Sequence, residues 1–116
     1  MPHIVLTGKL EIEEIFKTME NVFEKQSGRI LKTGARYLES DGRSIVIEAT
    51  AIENGLPRNF FVFISQREDG IVVRLHPTLN VEKTEGVKNV LALVAKQVMK
   101  TFPGIGIGQT NLQDYL

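Results

Sequence analysis

The sequence predicts a two-layer α+β domain: an antiparallel sheet of about five strands with two helices on one face, in the order β-α-β-β-β-β-α. Three observations carry this. Two segments repeat apolar residues at helical spacing, near the start and near the end of the chain. Between them lie β-rich runs separated by Asp41-Gly42, Asn54-Gly55 and Asp69-Gly70, dipeptides that favour hairpin turns. The length of 116 residues suits one domain with a single core.

Each element has its own warrant. "HIVLT", His3 to Thr7, is a short apolar run stopped by Gly8 and reads as the first strand. Ile12, Ile15, Phe16, Met19, Val22 and Phe23 then share one face of a helix expected from about Leu10 to Gln26. Glu11, Glu13 and Glu14 crowd its first turn, where the helix dipole favours acids, and Ser27-Gly28 is its expected stop. "RILKTGARYLES", "SIVIEATAIE", "NFFVFISQ" and "IVVRLH" follow as a meander of strands. A second helix runs from about Val81 or Thr84 to Thr101, with Asn80 as a candidate N-cap. Val87, Val90, Leu91, Val94, Val98 and Phe102 form its apolar stripe, and Pro103-Gly104 ends it. Gly86 weakens that helix, so either the helix begins after it or something approaches the backbone there. The domain is therefore assigned to residues 1–103, with a Gly-rich tail over 104–116.

Composition excludes several functions. Fourteen basic residues balance fourteen acidic ones, against a protein living wholly on nucleic-acid phosphates. The lack of cysteine removes disulfides, thiolate chemistry and Cys-ligated zinc, and fits a reducing compartment. The start shows no signal peptide, and no apolar run approaches the roughly 20 residues that span a bilayer. These features predict a soluble, cytoplasmic protein that makes no membrane contact.

The opening strand "HIVLT", the turn into "GKLEIEEIF" and the final "VKNVLALVAKQVMKTFPG" together resemble one repeat of the TATA-box-binding-protein fold, a β-α-β4-α unit. The resemblance lies in element order and covers about the first 104 residues. It implies a sheet with one uncovered face. In that family two fused repeats form a saddle that grips DNA, so a saddle here would need two chains.

On an uncovered face, the candidate interaction residues are Lys32, Arg36, Val46, Ile52, Phe60, Val62, Ile64, Arg74 and His76. Ile45, Ile47, Ala49 and Ala51 are expected to face the helices instead. The face is mixed, apolar in the middle and basic at the edges. An apolar patch of this kind marks an interaction site, most simply with a second copy across a twofold axis or with another protein. The same mix of aromatics with Lys and Arg would also suit nucleic acid. A strand bulge that shifts parity, or the tail folding over the face, would remove the patch.

Chemistry is sparse. His3 and His76 are the only histidines, and no spacing converges on a metal site. There is no G-x-S-x-G elbow, and "TGK" at Thr7 to Lys9 lacks the earlier glycine of a P-loop. The acids of the first helix read as a solvated face. No catalytic residue, cofactor or metal is assigned. The reading is a non-enzymatic binding or adaptor module, homodimeric through the exposed sheet face. Nucleic-acid binding on that face is the alternative, followed by a small-ligand site or enzyme with a pocket between sheet and helices. In the tail, Ile105, Ile107, Leu112, Tyr115 and Leu116 are expected to anchor on the sheet or on a second subunit.

Overall fold

The structure, a computed structural model, describes residues 1–77 and 80–116. In chain order it contains β1 (His3–Thr7), α1 (Ile12–Thr18), β2 (Phe23–Gln26), β3 (Arg29–Leu38), β4 (Ser44–Glu53) and β5 (Leu56–Arg67). There follow β6 (Gly70–Leu75), α2 (Glu85–Thr101), β7 (Gly106–Thr110) and a closing 3-10 turn at Gln113–Tyr115. All pairings are antiparallel, in the order β2-β3-β4-β5-β6-β1-β7.

This corrects the expected architecture. The sheet has seven strands, not about five, and curls into a half-barrel instead of presenting a flat layer with two helices laid on one face. Its concave side wraps α2, which touches β1, β3, β4 and β6. The first helix is also shorter than its apolar spacing suggests, because α1 stops at Thr18 and Met19 takes extended φ and ψ. Val22 and Phe23 leave the helix for a hairpin: Phe23–Gln26 pairs with Arg29–Lys32 through the Ser27-Gly28 turn. The Val22 N–H donates to Thr33 Oγ1 at 2.8 Å, and the Thr33 N–H donates to the Val22 carbonyl at 2.9 Å. A Ser-Gly pair serves a helix stop and a hairpin equally well, so the local signal is the same for both.

The other additional strand comes from the Gly-rich tail. β7 lies along β1, and Leu112 behind it is buried in the core. Ile105, Tyr115 and Leu116 pack against that core, whereas Ile107 stays exposed. Gly108 sits so close to β1 that a Cβ there would lie 3.0 Å from Thr7 Cγ2 and 3.1 Å from Val5 Cγ1. Glycine therefore serves close strand approach at this position.

The inner face is a continuous apolar surface. Ile4 and Leu6 of β1, Ile45, Ile47, Ala49 and Ala51 of β4, and Ile71, Val73 and Leu75 of β6 all point inward and are buried. Pro57 is tolerated in β5 because, among the described residues, β6 pairs with Val62 to Arg67 and leaves one side of Pro57 without a ladder partner.

At one end of the half-barrel, Glu53 ties the sheet to the start of α2. Its carboxylate accepts from Thr84 Oγ1 at 2.5 Å and from the Gly86 N–H at 3.0 Å. Arg29 and Arg58 each lie 3.7 Å from it. Thr84, and not Asn80, is the N-cap, accepting from the Val87 N–H. A Cβ on residue 86 would stand 2.7 Å from Glu53 Cδ. The close approach suspected at Gly86 is thus the Glu53 carboxyl.

Candidate binding face of the sheet

Directly paired residues of an antiparallel sheet share a face, so the registers map the outer, convex side row by row. The first row runs Tyr37, Val46, Phe63, Arg74, His3 across β3, β4, β5, β6 and β1. The next holds Glu48 opposite Phe61, with the His76 N–H donating to the Phe61 carbonyl at 2.9 Å. Phe23, Lys32, Thr50 and Asn59 form the third, and Lys25, Ile30, Ile52 and Pro57 the fourth. Neither helix lies over these rows.

Five of the residues singled out from the sequence fall on this face: Lys32, Val46, Ile52, Arg74 and His76. Four fall elsewhere. Phe60, Val62 and Ile64 point into the core, 3%, 0% and 0% exposed. Polar substitutions there would unfold the protein before they tested any partner. Arg36 is separated from Lys32 by a register shift between Thr33 and Arg36, which turns Tyr37 outward and pairs Arg36 with the inward Ile47. Arg36 Nη1 instead donates to Asn21 Oδ1 at 2.7 Å. The shift also brings in Tyr37, which alternation alone placed on the other side. Phe61, Phe63, Phe23 and His3 are further ring-bearing residues of the face. The signal for the two β5 phenylalanines was the strand parity of "NFFVFISQ", read in the wrong phase.

The face divides into two regions. Around Phe63, the Arg74 guanidinium lies 5.4 Å from the ring centroid, in the geometry of a cation–π contact. His76 meets the same ring edge-on, with centroids 5.0 Å apart and planes at 74°. Among the described residues, Arg74 Nε is buried without a hydrogen-bond partner. The ion pairs formed among the described residues involve Arg29, Arg58 and Arg67, not Arg74. In the same row, Tyr37 Oη donates to Glu48 Oε2 of the next row at 2.7 Å, which holds the tyrosine's pKa above its usual range, aided by the Glu48 charge and by burial. Thr50 Oγ1 donates to Asn59 Oδ1 at 2.8 Å. A hollow of about 210 Å³ opens between Glu48, Thr50, Asn59 and Phe61.

The other region, at the β2 end, is apolar. Phe23 is 67% exposed, and Ile30, Ile52 and Pro57 line up across three strands below it. A groove of about 290 Å³ there is bordered by Lys25, Ile30 and Ile52.

Among the described residues no group of His, Asp or Glu is placed to hold a metal ion, and no helix is long and apolar enough to cross a membrane. No protein-family model matches the chain, and comparisons with curated proteins and with solved structures find no match either.

Proposed function

We propose that this chain is a non-catalytic binding module of the cytoplasm that works through the outer face of its half-barrel and self-associates there. The observation carrying this reading is the apolar end of the face, where Phe23, Ile30, Ile52 and Pro57 stand on a sheet surface that neither helix covers. Apolar surface of this kind is a recurrent docking feature of soluble proteins. A twofold axis lets one patch serve both partners. Balanced charge permits two copies to approach without net repulsion. Light scattering coupled to size exclusion should report a dimer for the wild type. Phe23→Lys and Ile52→Lys, both on the outer face, should shift it to monomer with the fold intact by circular dichroism. A monomeric wild type would sink the self-association.

Nucleic-acid binding is the second reading, favoured by the aromatic and cationic row Tyr37, Phe63, Arg74 on the same face. The resemblance in element order to a TATA-box-binding repeat belongs with it, although β2 and β7 enlarge the sheet beyond that unit. Gel-shift titration with single-stranded DNA and RNA at low salt, against Lys32→Glu, decides it. Absence of a salt-sensitive complex removes the reading.

A further inference from the structure

The two halves of the outer face differ in chemistry, and the Arg74 half carries more than an apolar contact. Three features converge there. The Arg74 guanidinium lies over Phe63, 5.4 Å from the ring centroid, and the same ring makes a T-shaped contact with His76. The directly paired neighbours of Arg74 are Phe63 and His3, so no carboxylate opposes it across the ladder. With Nε buried, such a guanidinium offers its terminal N–H donors to an oxyanion, and phosphate is an anion that a guanidinium binds well.

The hollow beside Phe61 supplies the second feature. Phe61 lies two residues from Phe63 on the same face of β5, about 7 Å along the strand. That is comparable to the span between a nucleobase and its own 5′-phosphate. Phe61 provides an aromatic surface for the base, and base–aromatic stacking tolerates any ring.

The third feature is the hollow's polar rim. Glu48 is held by Tyr37 through one carboxylate oxygen, leaving the other to accept. The Thr50 hydroxyl occupies Asn59 Oδ1, so the Asn59 amide presents its NH₂ as a donor. An acceptor beside a donor complements a base edge with an exocyclic amino group next to a ring nitrogen or carbonyl, as in cytosine.

We propose that the outer face binds a nucleotide unit, its base against Phe61 between Glu48 and Asn59, and its phosphate on Arg74. The proposal rests on the outer face as the working surface, not on the apolar end that would dimerise. The phosphate can come from a free nucleotide or from a single-stranded chain, and the shared chemistry is a 5′-phosphate joined to an amino-bearing base.

The test is an amide ¹H–¹⁵N titration of the full chain with cytidine 5′-monophosphate, cytidine, inorganic phosphate, uridine 5′-monophosphate and a short oligocytidylate. Cytidine 5′-monophosphate should move the amides of Phe61, Phe63 and Arg74, and cytidine or phosphate alone should bind at least about tenfold more weakly. Arg74→Gln should remove the advantage that the phosphate confers. Arg74→Lys, which keeps the charge but loses the planar fork, should recover only part of it. Glu48→Gln should abolish the preference for the cytidine over the uridine nucleotide while leaving phosphate dependence unchanged. Tighter binding of the oligomer, with the same amides moving, would support a chain as the source; equal affinity per site would support a free nucleotide. Mononucleotide binding that leaves these amides still, or that survives Arg74→Gln unchanged, would overturn the site. So would no mononucleotide binding at millimolar concentration. The dimer is judged separately, because Phe23→Lys changes association without touching these residues.

Discussion

Glu53 shows how one carboxyl can join sheet to helix. Burial opposes its ionisation, yet the Thr84 hydroxyl, the Gly86 N–H and the charges of Arg29 and Arg58 together hold its pKa below the usual glutamate value. A carboxylate at the first turn of α2 also satisfies donors that the helix itself leaves unpaired. Because the folded-state pKa is lowered, the stabilisation is fully present above the unfolded-state pKa. It is lost as pH falls through the folded-state value. Urea unfolding between pH 7 and pH 3 should therefore show stability declining on the acid side, with a shallower decline in Glu53→Gln. Equal acid slopes for the two proteins would show that Glu53 is not the group responsible. Arg58 extends the cluster to Glu82, 2.7 Å away, but that acid is well exposed and adds little. Removing Glu53 should thus cost more than removing Glu82.

At the scale of elements, β7 and the 3-10 turn close the molecule. β7 pairs with β1, Leu112 is 2% exposed, and Tyr115 Oη donates to Glu85 Oε2 at 2.5 Å. That bond to Glu85, with burial and the charges of Glu85 and Asp114, pushes the Tyr115 pKa up to about 12, against an opposing influence from Arg29. Deleting Gln109 to Leu116 should lower unfolding stability by about 3 kcal/mol or more, since burying one leucine alone is worth about 1.5–3 kcal/mol. Chemical denaturation checks this, and a truncated chain of unchanged stability would mean that the segment merely rests on the surface. This strand was hard to read because G-I-G-I-G carries the local signal of a hinge. Gly106 and Gly108 are explained by their close approach to β1, at Thr7 for the first and at Val5 and Thr7 for the second, a long-range contact that local pattern does not record. Other elements were legible. The Asx-Gly dipeptides at Asp41, Asn54 and Asp69 do separate consecutive strands, and α2 ends at Thr101 as its apolar stripe indicates. The candidate face was only half legible. The position of Arg36 depends on a bulge, and that of Phe60 on which phase of an all-apolar strand meets the helix.

At the scale of the molecule, the curvature of the sheet is written on α2. Val87, Val90, Leu91, Val94 and Val98 form the stripe that any amphipathic helix would bury, but Ala92 and Ala95 are buried as well. At 100° per residue the buried positions from Val90 round to Ala92 span an arc of about 200°, roughly twice the minimum needed to pack on a flat layer. Ala95 and Ala92 lie on one flank of the stripe, where small side chains let the sheet close in on the helix. Ala92 shares its i,i+4 row with Lys88, Lys96 and Lys100, so its burial is not evident from the charges around it. The half-barrel therefore concentrates its stability inside and leaves its outer rows uncovered by either helix. Truncations should reveal that asymmetry. Leu91→Ala, at 0% exposure in the grip of the sheet, should cost about 3 kcal/mol in urea unfolding. Ile52→Ala, on the convex face, should cost about 1 kcal/mol or less in the monomer. The measurement belongs at a protein concentration low enough to dissociate any dimer, because association would add the loss of the outer contact to the second value. Comparable costs at the two positions would mean that the convex face is packed as tightly as the core, leaving no surface there for a partner.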